Sequence, residues 1–196
     1  MDSDPYTPAD ALKHAADKGE FKGHNVAKRA VSIRRDRQEL YGYFRRFSNL
    51  ASFMENIERI DEHDDQRSHW VVKAPAGRSV EWDAVVTEDR PGELISWKTE
   101  PGADVENWGT VEFKDAPHGR GTEVHATIVY DAPGGPVGEV IAKLFQKEPG
   151  IQAKRDLRRF KMLMEAGEIA TTDYPDAAPR YKKSDASAEA RDAETR

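Results

Sequence analysis

The chain has 196 residues, a formal net charge of −6 and no cysteine, so disulfides, thiolate metal sites and cysteine nucleophiles are excluded. Because phosphate contacts need a positive surface, an acidic chain is a poor partner for nucleic acid, and we expect no such partner. The amino terminus lacks a basic segment followed by an apolar one, and no apolar run approaches the length of a membrane span. These features predict a soluble, cytoplasmic protein.

One domain with two polar extensions is expected from this length and from the distribution of apolar residues. Residues 1–24 form a mostly polar N-terminal extension, and residues 173–196, rich in Ala, Asp, Glu and Ser, predict a disordered C-terminal tail. The globular domain is therefore predicted over residues 25–172.

The first predicted elements of this domain are a strand over residues 26–33 and two short helices, over residues 35–44 and 48–53. Asp36 and Ser48 are the predicted N-caps, because a short polar side chain can accept a hydrogen bond from a free N–H group in the first helical turn.

Six further strands are predicted, the first over residues 54–62. Between Gln66 and Tyr130, five runs of alternating apolar and polar residues are separated by short turns rich in proline and glycine. Connections this short join antiparallel neighbours, because a parallel crossover needs about a dozen residues or more. The sequence thus predicts a seven-stranded antiparallel sheet.

The alternation also predicts which side chains face a core and which face water. Glu81 and Asp83 fall on the polar face, where a solvated strand edge or a surface ion pair is favoured over a general-base role. Trp108 has the opposite parity to Val111 and is predicted to lie outside. The residues predicted to point inward are Val80, Trp82, Ala84, Val86, Val105, Asn107, Gly109, Val111, Phe113, Val124, Ala126, Ile128 and Tyr130.

A helical period replaces the strand period from residue 136 to residue 167. Apolar residues at 137, 140, 141 and 144 form one stripe, and those at 153, 157, 160 and 164 form another on nearly the opposite side of a continuous helix. We therefore predict a break at residues 148–150, with Pro149 opening the second piece and Gly167 closing it.

The width of the sheet raises the question of a cavity. Seven strands about 4.8 Å apart span more than about 30 Å, whereas a helix is only about 10 Å across, so the sheet must curl round it. The small inward residues Ala84, Gly109 and Ala126 then favour unfilled volume. Patterning alone leaves two interpretations open, an apolar pocket between sheet and helix or a fully packed core.

Several motifs are spread along residues 26–172, among them Val31-Ser32-Ile33, Phe47-Ser48-Asn49-Leu50, Val80-Glu81-Trp82-Asp83-Ala84, Gly109-Thr110-Val111-Glu112-Phe113 and Asp156-Leu157-Arg158-Arg159-Phe160-Lys161. Together they resemble the START-like helix-grip superfamily, and the branch to which the chain is similar contains polyketide cyclase/dehydrase and lipid-transport proteins, including coenzyme Q-binding START domains. The resemblance implies an α+β fold in which a curved seven-stranded antiparallel sheet wraps round a broken C-terminal helix and a hydrophobic ligand cavity. Activity stays open, since the superfamily holds carriers and enzymes.

We accordingly predict binding or transport of a lipid, quinone-like or polyketide-like molecule, with a cyclase or dehydratase in the same cavity as the alternative. Aromatic side chains suit a planar or isoprenoid ligand, although core packing is their commoner role. Asn107 and Tyr130 need polar partners and are the first candidates for the enzyme alternative. The predicted ligand contacts are Trp70, Trp82, Trp97, Asn107, Val111, Phe113, Ile128, Tyr130, Leu144 and Phe160.

Neither a metal nor a nucleotide cofactor is expected. The six histidines lack ligand spacing, and the glycine-rich residues 134–138 lack the lysine and hydroxyl of a phosphate-binding loop. The basic residues of the last helix have two interpretations, transient contact with anionic lipid headgroups or a solvated helix face with Glu165 paired to Lys161, and the second is favoured. These residues are Lys154, Arg155, Arg158, Arg159 and Lys161.

Overall fold

The computed structural model describes residues 25–74, 77–103, 105–131 and 149–170, and it leaves out the side chains of residues 25, 130, 131, 149 and 150. The described helices are α1 (Arg37–Arg45), a 3₁₀ helix (Phe47–Ser52), a 3₁₀ turn (Pro117–Gly119) and α2 (Pro149–Ala166). The strands are β1 (Asn25–Ile33), β2 (Ile57–Glu62), β3 (Arg67–Ala74), β4 (Arg78–Arg90), β5 (Leu94–Thr99), β6 (Glu106–Asp115) and β7 (Thr122–Asp131). The predicted order of strand, two helices, six strands and helix is confirmed.

All seven strands form one antiparallel sheet in the order β1-β7-β6-β5-β4-β3-β2. The six later strands each pair with their neighbour in the chain, whereas β1 pairs with β7, placing Ile33 opposite Thr122. Consequently β1 and β2 lie at opposite edges, and α1 and the 3₁₀ helix carry the chain from one edge to the other. Register shifts at Val86/Glu88 and Ile57/Arg59 mark bulges, which increase the bend and twist that let a sheet curl.

The predicted N-cap Asp36 is confirmed, because its carboxylate accepts hydrogen bonds from the N–H groups of Gln38 at 2.8 Å and Glu39 at 3.4 Å. Helix α1 therefore begins at Arg37, two residues later than predicted. The prediction of Ser48 as an N-cap is wrong. The second helix is a 3₁₀ helix that begins one residue earlier, and its N-cap residue makes no side-chain cap bond. The Ser48 N–H instead donates to a Glu62 carboxylate oxygen at 2.9 Å, tying the helix to β2.

The start of β2 and the end of α2 show how local bonding sets element boundaries. Strand β2 begins at Ile57 rather than at Met54, because the Met54 N–H still donates to the Leu50 carbonyl at 2.8 Å. The described part of helix α2 begins at Pro149. The helix ends before Gly167, as predicted, where a φ of +79° lets the Gly167 N–H donate to the Leu163 carbonyl at 2.9 Å. The predicted break itself and the helical piece before it lie outside the described residues.

The sheet face that packs on the helices, here called the inner face, carries the buried residues that strand parity predicted, among them Trp82, Ala84, Val111 and Val124. Helix α2 lies against β1 and buries its predicted apolar side, formed by Ala153, Leu157, Phe160 and Met164. No helix in the described ranges is long and apolar enough to cross a bilayer.

Candidate functional site

Four phenylalanines pack against one another over the inner face, and we call Phe44, Phe53, Phe113 and Phe160 the phenylalanine cluster. They come from α1, the end of the 3₁₀ helix, β6 and α2, and each is at most 1% exposed. Phe53 stacks on Phe160 with centroids 4.7 Å apart, and Phe44 contacts the other three rings at 5.9 to 6.1 Å. The predicted ligand contacts Phe113 and Phe160 thus lie in a region that protein rings already fill.

Three tryptophans on adjacent strands β3, β4 and β5 form a second aromatic group, the tryptophan row of Trp70, Trp82 and Trp97. The Trp70 ring is nearly parallel to both others, at 6.3 Å and 16° from Trp82 and at 6.1 Å and 18° from Trp97. Phe47 of the 3₁₀ helix contacts Trp70 and Trp97 edge-on, each at 5.6 Å. The structure therefore brings three predicted site residues together in one continuous row.

Two indole N–H groups of the row differ in how they are bonded. The Trp70 Nε1 donates to the Ser68 hydroxyl at 2.9 Å. In contrast, Trp82 Nε1 is buried and lacks a hydrogen-bond partner, and it is the one such side-chain atom in the part of the chain that the structure describes. The residues two positions away on the same face, Val80 and Ala84, are apolar and have no side-chain acceptor.

Gly109 does not supply the empty volume that its small size predicted. It is the cross-strand partner of Trp97, and a Cβ atom at Gly109 would lie 2.1 Å from Cζ2 of that ring. The indole thus occupies the space that the missing side chain leaves, so this part of the inner face is filled by a tryptophan.

The remaining predicted ligand contacts are described to different extents. Val111 is buried opposite Ala126, and Ile128 is half-buried opposite Gly109. Asn107 is buried, and its backbone N–H donates to the Thr99 hydroxyl at 3.2 Å. Leu144 and the side chain of Tyr130 lie outside the described residues, so the pocket that these residues would share stays a prediction.

Sequence reasoning missed Asp156, a half-buried residue on α2 whose carboxyl group faces the segment after the 3₁₀ helix. Its carboxyl group accepts hydrogen bonds from the Gln152 amide at 2.9 Å and from the Glu55 backbone N–H. Burial raises the pKa of Asp156 to about 7, although these two hydrogen bonds act in the opposite direction. Helical spacing in the sequence could have indicated this position. Asp156 lies three residues after Ala153 and four before Phe160, which places it on the flank of the apolar stripe.

The same segment holds α2 through charged contacts. Glu55 pairs with Arg155 at 3.1 Å and with Arg159 at 3.2 Å, and Arg159 also donates to the Phe53 carbonyl at 2.9 Å. Lys161 pairs with Glu165 at 2.8 Å, as predicted, and donates to the Ser32 carbonyl at 2.6 Å. Three of the five basic residues therefore bind the protein's own carboxylates, which favours an ordinary helix surface over a lipid-binding one.

On the outer face, His69 lies between two carboxylates, with Nδ1 2.8 Å from Asp83 and Nε2 3.4 Å from Glu81. The hydrogen bond to Asp83 is the main reason that the pKa of His69 is raised. Glu81 and Asp83 thus lie beside a histidine on the protein surface, and half-buried Trp108 lies on this outer face as predicted. In the described ranges, no three His, Asp or Glu side chains come close enough together to hold a metal ion.

A curled antiparallel sheet with a C-terminal helix against its inner face defines the START-like helix-grip class. Residues 26–165 match the sequence profile of a family described as polyketide cyclase/dehydrase and lipid transport. The chain belongs to this family, and the match confirms the branch that the sequence motifs predicted.

Known relatives agree with this assignment. An uncharacterized 17.2 kDa protein of Streptomyces lincolnensis is 32% identical over 130 residues, covering 64% of this chain and 79% of the relative. A Deinococcus radiodurans protein of known crystal structure is 36% identical with a TM-score of 0.60, covering 73% of this chain and 98% of that one. A Streptomyces aromatase/cyclase shares the fold with a TM-score of 0.56 at 12% identity, covering 73% and 97% of the two chains.

Proposed function

We propose that the protein binds a hydrophobic small molecule, lipid, quinone-like or polyketide-like, between the inner face and the C-terminal helix, and that it carries this molecule without transforming it. The observation that supports the proposal is the tryptophan row, in which three indoles from adjacent strands lie nearly parallel along the inner face. Parallel aromatic faces offer a large apolar surface with a fixed orientation, which suits a flat or isoprenoid ligand.

The surroundings of the row support a carrier more than an enzyme. Its neighbours on the inner face of β3, β4 and β5 include Val72, Val80, Ala84, Val86 and Thr99, none of which ionises near neutral pH. General acid–base catalysis needs a titratable group within hydrogen-bond reach of the reacting atoms. The half-buried carboxyl group of Asp156 is instead bonded to Gln152 and to the Glu55 backbone.

Denaturing extraction of the purified full-length protein, followed by mass spectrometry, tests the proposal directly. We expect a lipid-like or quinone-like molecule to be recovered, and we expect quinones, fatty acids or polyketides to raise the melting temperature of protein stripped of it. Recovery of no such molecule, together with no thermal shift from any of the three classes, would contradict the proposal.

Two tryptophan variants locate the binding surface. Trp70→Leu removes the middle ring of the row and should reduce the amount of co-purified ligand several-fold. The matched control, Trp108→Leu, removes a half-buried indole on the outer face and should leave ligand recovery unchanged. Equal losses in the two variants would place the ligand elsewhere.

The enzyme alternative makes a different prediction. If the protein converts a polyketide-like substrate, and if Tyr130→Phe abolishes this turnover while binding is retained, the protein is a cyclase or dehydratase rather than a carrier.

A further inference from the structure

From the unsatisfied Trp82 N–H, we infer that the ligand of the inner face is an uncharged molecule with a hydrogen-bond acceptor, such as a ketone, quinone or ester carbonyl, and that Trp82 Nε1 donates to this acceptor. This inference rests on the proposed function and deepens it by naming the ligand chemistry and the residue that recognises it. Sequence pattern alone offered Asn107 and Tyr130 as the polar contacts, not the indole of Trp82.

The buried indole N–H of Trp82 is a hydrogen-bond donor without an acceptor among the described residues. Trp82 is only 7% exposed, and its Nε1 is shielded from solvent without a partner. Buried polar side-chain atoms in native proteins are nearly always hydrogen-bonded, because a buried N–H without an acceptor loses the bond that water would have made. An exception inside a family of ligand-binding domains therefore points to a missing partner.

Trp82 differs in its hydrogen bonding from its own cross-strand partner, Trp70. Trp70 lies directly opposite Trp82 in the sheet, and the two rings are nearly parallel. Trp70 nonetheless has an acceptor, the Ser68 hydroxyl two residues away on the same face. The corresponding same-face neighbours of Trp82 are Val80 and Ala84. The described part of the chain thus supplies an acceptor for the Trp70 N–H but none for the Trp82 N–H. On this inference, the acceptor for Trp82 comes from a molecule outside the chain.

The residues around Trp82 favour an acceptor molecule that is flat and uncharged. A carboxylate buried on this surface would need a cation beside it, and the same-face neighbours Val72, Val80 and Ala84 supply none. Among the described residues, the only ring that contacts Trp82 is Trp70, so Trp82 stands at one end of the row. A flat, uncharged, conjugated carbonyl compound can extend the row and accept the N–H bond at the same time.

Two probes of almost identical shape test the inference, 9-fluorenone with a ketone oxygen and fluorene with a methylene group in its place. Binding to the purified full-length chain, stripped of any bound molecule, is measured by titration. We expect fluorenone to bind roughly three- to tenfold more tightly than fluorene, the factor that one net hydrogen bond contributes. Fluorene-2-carboxylate, which adds a charge, should bind more weakly than either.

The indole signals of a ¹⁵N-labelled sample of the wild-type chain show which indole N–H donates to the ligand. The four tryptophans give four indole N–H signals, and Trp82→Phe assigns one of them by its disappearance. Fluorenone should shift the Trp82 signal downfield and slow its hydrogen exchange, whereas fluorene should leave its exchange unchanged. Trp82→Phe should also remove the preference for fluorenone, while the control Trp108→Phe, which removes an indole on the outer face, should preserve it.

The outcomes separate this inference from the proposed function. If fluorene binds as tightly as fluorenone, or if both move the Trp82 signal equally, the inference is overturned while binding of a hydrophobic molecule stands. If the preference for fluorenone survives in Trp82→Phe, the acceptor is recognised by another donor, which also overturns it. If none of the three probes and none of the lipid, quinone or polyketide ligands binds, both the inference and the proposed function are overturned.

Discussion

The phenylalanine cluster and the tryptophan row lie side by side over one sheet face, and each buries large aromatic rings. The two regions differ in whether all their buried groups have partners within the chain. The rings of the cluster come from two α-helices, the end of the 3₁₀ helix and a strand, and they pack together until at most 1% of any of them is exposed. The rings of the row come from adjacent strands, and at Trp82 the row ends in a buried donor without a partner. The chain itself fills the phenylalanine cluster, whereas the tryptophan row contains one indole N–H group without a hydrogen-bond partner in the described ranges.

This contrast has a physical origin in what each region can tolerate. Phenylalanine has no polar atom, so packing alone satisfies it, while every buried indole also needs an acceptor. A region built for stability gains by excluding polar atoms, and a region built for recognition needs one that is held in place. The predictions below test this division of the inner face, from the largest expected effect to the smallest.

Truncation at the centre of the cluster should have the largest effect. Phe160→Ala is expected to lower the free energy of unfolding by about 3–5 kcal/mol, because its buried ring contacts Phe44 and Phe53 and the rigid surroundings cannot refill the gap. Urea denaturation measures the change. Ile128→Ala, at a half-buried position on the same face, serves as the comparison and should cost clearly less. Similar losses at the two positions would show that the inner face is packed uniformly.

The contact between α2 and the segment at Glu55 should make stability depend on pH. In the folded protein burial raises the pKa of Asp156 to about 7, whereas an unfolded aspartate titrates near about 3.9. Between about pH 4 and pH 7 the folded state therefore retains a proton that the unfolded state has released. Stability should fall as the pH rises through this window, by at most on the order of 4 kcal/mol.

Asp156→Asn removes this titration and retains a side-chain oxygen that can accept from the Gln152 amide. The variant should be more stable than the wild type at pH 8 and close to it at pH 4, as measured by urea denaturation at a series of pH values. Parallel pH profiles for the two proteins would show that Asp156 is ionised at the same pH in the folded and unfolded states, and that the contact does not bury its charge.

A methyl group at Gly109 should disturb the tryptophan row. Because the new Cβ would lie 2.1 Å from the Trp97 ring, Gly109→Ala must displace that indole, at an expected cost of about 1–3 kcal/mol. Near-UV circular dichroism should show a changed tryptophan signal. Gly42→Ala is the matched control, since the added Cβ of this α1 residue meets nothing within 4 Å and should stabilise the helix slightly. An unchanged tryptophan spectrum in Gly109→Ala would mean that the row accommodates the methyl group freely.

The smallest expected effect concerns the helix that delivers Phe44 to the cluster. Asp36→Ala removes the acceptor for the N–H groups of Gln38 and Glu39 and should cost about 1 kcal/mol, while Asp36→Asn retains an oxygen and should cost less. Thermal or urea unfolding of the two variants measures the difference. If alanine and asparagine cost the same, the cap bond does not explain the contribution of Asp36.

The sequence by itself determined the order of elements and the face on which most strand residues lie. Strand parity placed Trp82 and Val111 inside and Trp108 outside, because successive side chains in a strand point to opposite faces whatever the strand pairs with. The Asp36 cap and the Gly167 end were also predictable, since both depend on bonds within one helical turn. The family followed from motifs spread over the same residues.

Tertiary structure alone decided how distant segments meet. The pairing of β1 with β7, the Trp97 ring over Gly109 and the burial of Asp156 against Glu55 each join segments that no local pattern relates. Strand register decides that Trp70 lies opposite Trp82, and side-chain geometry decides that Ser68 serves one indole while the other has no acceptor. A periodic sequence specifies which face a residue occupies, but which atoms it touches there depends on neighbours that only folding brings together.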